Sequence, residues 1–275
     1  MKREQDLLRR LRSLETLGEA VGAMKSLSAH HFRETRSAVE PARAYRSGVT
    51  RILARSGGAL AAGGGGAGLL VIGGELGLCG GYNARVVAAG AARRGELGDG
   101  PTFSVGRRAT ALLARRGVRI DRSYGAPTSV RGITDVLLRV AEDVLESYVQ
   151  RDLGSFEIVS SHFGGVGADR PGCVTLLPIS PEVAGPGPAA RYVAADRLAS
   201  AAVREFLFSA LYDLLLDALA SEHSARLMAT QTAEKWLDER IERLSRQLAS
   251  ARREASTQEM IEIAAGRRAR RSAEF

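Results

Sequence analysis

Cysteine is scarce in this sequence. Cys79 and Cys173 are the only two in 275 residues, far apart and in no metal-ligand spacing, which argues against a disulfide framework and a cysteine zinc site. Reduced thiols of a cytoplasmic protein are the simplest reading. Aromatics make up only 5%, with one tryptophan, too few for a thick aromatic core or a base-stacking surface. No apolar run reaches the ~18 residues of a membrane span. The opening MKREQDLLRR has no signal-peptide core, so the sequence predicts a soluble or peripheral chain without direct membrane insertion. Of the four histidines, His30, His31, His162 and His223, no pair has the i, i+4 spacing of a zinc helix. The adjacent pair is expected to diverge, so no metal site is predicted. Proline and glycine are both missing from residues 189–265, far beyond an ordinary globular helix, which argues for a coiled coil.

What is present divides the chain in three. Residues 1–55 read as a coiled-coil helix, with Leu7, Leu11, Leu14, Leu17, Val21, Met24 and Leu27 recurring at steps of three and four. Gly18 and Gly22 weaken that helix and would let another helix approach closely, and Pro41 is expected to kink or break it. Residues 56–68, SGGALAAGGGGAG, read as a flexible connector. Residues 69–180 alternate short apolar runs with helical stretches. Strands are predicted at 69–72, 102–105, 118–121, 156–160 and 174–179, and helices at 83–94, 107–116 and 133–149. That alternation implies an α/β, Rossmann-like, mostly parallel sheet whose last two strands form an antiparallel edge pair. A Pro/Gly-rich exit at 181–188 precedes the C-terminal helix, residues 189–271. Its distal half carries Leu237, Ile241, Leu244, Leu248, Ala251 and Ala255 in 4-3-4-3-4 spacing, a heptad seam. A helix that long must project from the α/β body and needs a partner to stay folded. The N-terminal helix enters the domain that the C-terminal one leaves, so the two are expected to pair antiparallel as a stalk, the longer C-terminal tip running on past the N-terminus.

Catalytic signatures are weak. The turn Gly73-Gly74-Glu75-Leu76-Gly77-Leu78-Cys79-Gly80-Gly81 follows the first strand, where a dinucleotide loop would lie. Its spacing is G-x-x-G-x-x-G, and no Lys-Ser/Thr follows for a P-loop. A tight packing turn is the better reading, with no cofactor. Cys79, at a helix start, could be a low-pKa thiol, but with no partner His or Cys it reads as structural. The net charge is +8, with arginines at 252, 253, 267, 268, 270 and 271. That balance keeps a basic coiled-coil nucleic-acid binder as the alternative function.

Three stretches resemble the γ subunit, the central rotor shaft, of bacterial F-type ATP synthases. They are Ala23-Met24-Lys25 with Pro41-Ala42-Arg43-Ala44-Tyr45; Gly77-Leu78-Cys79-Gly80-Gly81-Tyr82-Asn83; and the C-terminal helix from Ala210-Leu211-Tyr212 through residues 219–228 to Thr257-Gln258-Glu259-Met260-Ile261-Glu262-Ile263 and Gly266. The departures place it on a divergent branch. Gly74-Glu75-Leu76 stands where the family has Asp-Arg before the glycine turn, Arg253 replaces a Gln, and the tail is basic.

The resemblance implies a non-catalytic subunit on the cytoplasmic face of the cell membrane. It would thread a hexamer of α and β subunits and rest on ε and the membrane c-ring, with no nucleic-acid partner. It also implies that Met24 and Lys25 lie at a bearing contact with an acidic segment of the catalytic subunits. Arg252, Arg253, Thr257, Gln258, Glu259 and Glu262 would help engage those subunits, Arg253 adding a salt-sensitive contact.

Overall fold

The computed structural model describes residues 2–179 and 193–273, so the Pro/Gly-rich exit at 181–188 lies outside the described residues. Helix α1 spans Lys2–Ser56 and α5 spans Ala195–Ala273. Between them stand β1 (Gly65–Ile72), α2 (Tyr82–Leu97), β2 (Thr102–Val105), α3 (Arg107–Arg115), β3 (Arg122–Tyr124), α4 (Ile133–Gln150), β4 (Leu153–Phe163) and β5 (Asp169–Leu177). The described residues form two compact units. One gathers those up to Ser26 with those from Thr230 onward, and the other is Leu27–Ala229.

In the second unit the sheet order is β3-β2-β1-β4-β5. β1 pairs parallel with β2 and β4, β2 pairs parallel with β3, and β5 returns antiparallel on β4. The antiparallel edge pair read from the sequence is thus present. Alternation along β1 sends Leu69 and Val71 to one face and Leu70 and Ile72 to the other. The first face packs with Val159 against Val86 and Val87 of α2 and Leu113 of α3. The second joins Phe103, Phe156 and Ile158 to Val140 and Val144 of α4 and to Leu207, Leu211 and Leu215 of α5. A sheet covered on both sides explains why its central strands read as continuous apolar runs.

Three local expectations are corrected. The glycine-rich connector ends early, because β1 begins at Gly65, where Gly63 and Gly65 donate to the Leu153 and Asp152 carbonyls at 2.9 and 2.7 Å. The Phe156 ring fills the space a side chain at Gly68 would need. The third strand lies at Arg122–Tyr124 rather than 118–121, held in place by Asp121, whose amide donates to the Thr102 carbonyl at 2.8 Å. Pro41 does not break α1. It is exposed, as is Ser37 one turn earlier, so water can satisfy the carbonyl that proline leaves without a donor.

The seam of α1 also differs from the apolar reading. Leu17 and Leu27 are 50% and 57% exposed. A 4-3 heptad progression of buried and half-buried positions runs through Leu7, Leu11, Leu14, Gly18, Val21, Lys25, Ser28, Phe32, Thr35 and Val39, with Leu8, Gly22, Met24 and Ala29 half-buried beside it. Gly18 and Gly22 are not close-approach points, since a Cβ on either would meet nothing within 4 Å.

In the first unit the two helices run antiparallel. Lys25 bonds Glu234 at 2.5–2.7 Å, while Arg252 bonds Glu4 at 2.9 Å. Leu237, Leu244, Leu248 and Ala251 are buried, with Ile241 and Ala255 partly so, which makes the predicted C-terminal seam the contact face.

Candidate functional site

At the carboxyl end of β1, where strand order reverses between β2 and β4, a doubly wound sheet offers its ligand crevice. Here α5 fills it. Tyr82, fully buried, donates to the Ala218 carbonyl at 3.1 Å. One turn on, the Glu222 carboxyl presses on Gly74, where a Cβ would stand 2.8 Å from its Cδ. Another turn on, Arg226 pairs with Glu222 and donates to the Gly77 carbonyl at 3.2 Å. Asn83 closes the turn, accepting from the Gly74 amide at 2.7 Å. Burial raises the Glu222 carboxyl above the carboxylate range, with Arg226 opposing. Glu75 is the turn's outer tie. Burial pushes its carboxyl up, but the amides of Arg107 and Ala126 and the Arg107 guanidinium outweigh that and hold it low. The turn therefore seats a helix.

Cys79 lies in this turn, buried, its sulfur accepting from Asn83 Nδ2 at 3.2 Å. Burial, then Glu222, push its thiol up, which makes it a structural cysteine rather than a nucleophile. Cys173 is exposed but driven to about 11 by partial burial and Glu157.

α1 is tied to α5 by buried carboxylates. Asp217 takes Arg43 at 2.8 and 3.0 Å and His162 at 2.7 Å, and Asp213 takes Arg46 at 2.8 Å. Burial raises Asp217, with Arg43 opposing. Such pairs are costly to break singly, because a buried charge is left uncompensated. His223 packs beside Arg226 (3.4 Å) and stacks on His31 with centroids 5.2 Å apart. Burial first, then Arg226 and His31, lower its pKa to about 3, so it is a neutral imidazole. The neighbouring histidines do not diverge as expected. His30, His31 and Glu34 place ligand-type atoms within 4.8 Å of one another.

Of the residues expected to meet partners, Met24 and Lys25 are partly buried, Lys25 by its pairing with Glu234. Arg252, Arg253, Thr257, Gln258, Glu259 and Glu262 are all exposed on α5. Arg252 is engaged by Glu4, Thr257 bonds the Arg253 carbonyl at 2.8 Å, and Gln258 bonds Glu262 at 2.9 Å. Exposed apolar residues that the sequence reading did not single out as contacts accompany them: Met260 at 63%, Ile261 at 57% and Ile263 at 59% in the same stretch, and Trp236 at 57% farther back along α5. Trp236 was legible, since it precedes the seam residue Leu237 and so cannot share its face.

Long helices flanking a sheet whose ligand crevice is filled by one of them define a helical stalk protein with an α/β domain inserted in its chain. Its sequence matches the ATP synthase family over residues 3–269. It is 30% identical over 279 residues to the ATP synthase gamma chain of Pelotomaculum thermopropionicum, covering 95% of this chain and 97% of that one. It is 28% identical over 281 residues to that of Desulforamulus reducens, covering 97% and 98%. Among solved structures it resembles a chain of the Euglena gracilis mitochondrial ATP synthase OSCP/F1/c-ring, with TM-score 0.70, 15% identity and coverage of 100% and 96%. It also resembles one from the Tetrahymena thermophila mitochondrial central stalk and c-ring, with TM-score 0.60, 17% identity and coverage of 78% and 99%. The chain belongs to the ATP synthase gamma chain family, whose members are rotor stalks of F-type ATP synthase. The nucleic-acid alternative has no support. Among the described residues no helix is long and apolar enough to cross a membrane.

Proposed function

We propose that this stalk couples ion flow through a membrane ring of c subunits to conformational change at catalytic sites on β subunits, doing no chemistry itself. Its upper partners are the α and β subunits of the hexamer. Its lower ones are ε and the c-ring, at the cytoplasmic face of the cell membrane. The observation that carries this reading is the exposed surface of α5 in the helical pair. The seam is already filled, yet Met260, Ile261 and Ile263 remain more than half exposed in the same stretch as Gln258 and Glu262, and Trp236 is as exposed several turns earlier on the helix. Apolar side chains clustered with charges on an exposed face suit a partner that slides rather than locks. Met24 and Lys25 serve the bearing contact, and there Lys25 would exchange its Glu234 partner for an acidic segment of the catalytic subunits.

Detergent extraction of native membranes, with this chain tagged in residues 56–62, tests the proposal. Co-elution of α- and β-type subunits with ATPase activity is the expected result. A chain eluting alone would refute it. In the assembled complex, Arg252→Ala with Gln258→Ala should lower ATPase turnover while leaving the isolated chain's melting temperature unchanged.

A further inference from the structure

One side-chain cluster on α1 lies apart from the glycine turn, though one of its members, His31, stacks on His223 of α5. His30, His31 and Glu34 bring a ring nitrogen or carboxylate oxygen each to within 4.8 Å of one another. His31 Nδ1 is shut off from solvent and has no hydrogen-bond partner, an arrangement that is costly unless something else satisfies it. Glu34 Oε2 stands 3.7 Å from it, too long for a hydrogen bond. That distance is close to the edge of a coordination polyhedron, because two ligands each ~2.1 Å from a tetrahedral ion stand about 3.4 Å apart. Spacings of i, i+3 and i, i+4 from the two histidines to Glu34 put all three on one stretch of helix surface.

The surroundings fix the geometry. The His31 ring is stacked at 21° on His223 and meets His30 edge-on at 5.4 Å, so its orientation is set before any ion arrives. His223 is not among the grouped ligand atoms, and its Nδ1 faces the Arg226 guanidinium at 3.4 Å.

We infer that His30, His31 and Glu34 form a binding site for one imidazole-preferring divalent ion, Zn²⁺ foremost, with water completing the shell. Two imidazole nitrogens and one carboxylate oxygen suit zinc and its first-row neighbours rather than magnesium or calcium, which prefer all-oxygen shells.

The test uses the full-length chain, purified on a tag without histidine and stripped with chelator. Zn²⁺ is titrated by calorimetry and Co²⁺ by its visible absorption. One ion per chain is expected, with Co²⁺ bands of a four-coordinate nitrogen/oxygen site. His31→Ala and Glu34→Gln should each weaken binding at least about ten-fold, the loss that even an outer-shell partner can cause. His162→Ala should change nothing. Far-ultraviolet circular dichroism checks folding. If His31→Ala unfolds, the exposed His30→Ala and the half-exposed Glu34→Gln still decide the matter. Absence of binding, or equal binding by His30→Ala/Glu34→Gln, would overturn the assignment.

Discussion

Replacing His223 with glutamine should remove a specific part of the chain's acid sensitivity. The ring is 4% exposed, and burial, Arg226 and His31 hold its pKa near 3 against 6.5. In the folded chain it therefore stays neutral down to about pH 3, whereas in the unfolded chain it takes a proton below roughly 6.5. Between those values the unfolded state binds more protons, so stability is lost as pH falls. Moving from pH 7 to pH 5 crosses about 1.5 units of that window, or roughly 2 kcal/mol. For a chain of this length that is a fall of roughly 4–8 °C in Tm. Asp217 and Glu222, raised by burial, act in the opposite sense. They bind protons more readily in the folded state and gain stability on acidification, equally in both proteins, so they cancel in the comparison. Thermal melts of the wild type and His223→Gln at pH 7, 6 and 5 measure the difference. The variant's Tm should fall less by that margin. Parallel curves would refute the account of a neutral, desolvated imidazole.

Three further outcomes follow from the packing. Arg226→Met should cost about 3–5 kcal/mol in urea unfolding, because it strands Glu222 in the crevice, and Glu222→Gln/Arg226→Met should recover much of the loss. Gly18→Ala and Gly22→Ala should each stabilise by about 0.5–1 kcal/mol, since the added methyl meets nothing within 4 Å; a lowered Tm would show that α5 comes closer there. Gly106→Ala should destabilise by more than about 1 kcal/mol, because φ is 99° and its Cβ would stand 2.7 Å from the Gly73 and Gly74 carbonyl oxygens.

The strands other than the third, and the distal seam, were legible because apolar spacing carries them. The seam of α1 was misplaced for a physical reason. Its inward positions include Gly18, Lys25, Ser28 and Thr35, which no hydrophobic pattern marks, while Leu17 and Leu27 lie outside it. Thr35 is tolerated there because its hydroxyl donates to the His31 carbonyl at 2.5 Å. Glu222 and Arg226 were equally silent. Four residues apart on a helix, they look like an ordinary surface pair, and only the turn at the end of β1 buries them. The start of β1 among glycines was hidden because a strand of glycines is set by its neighbours, Asp152 and Phe156, and not by its own propensity.

The grip of the glycine turn on Ala218, Glu222 and Arg226 bears on how this molecule carries load. The three positions fall on successive turns of one helix face and span about 12 Å along its axis, each held from outside α5: Ala218 by the Tyr82 hydroxyl, Glu222 by the Glu75 and Leu76 amides, and Arg226 by the Gly77 carbonyl. A single point of attachment would let a helix roll within its collar, whereas three in line act as a key in a keyway. Torque entering through the α/β domain must then twist α5 itself rather than slip around it. In this chain the crevice that a sheet of this topology offers to a ligand has become a mechanical joint.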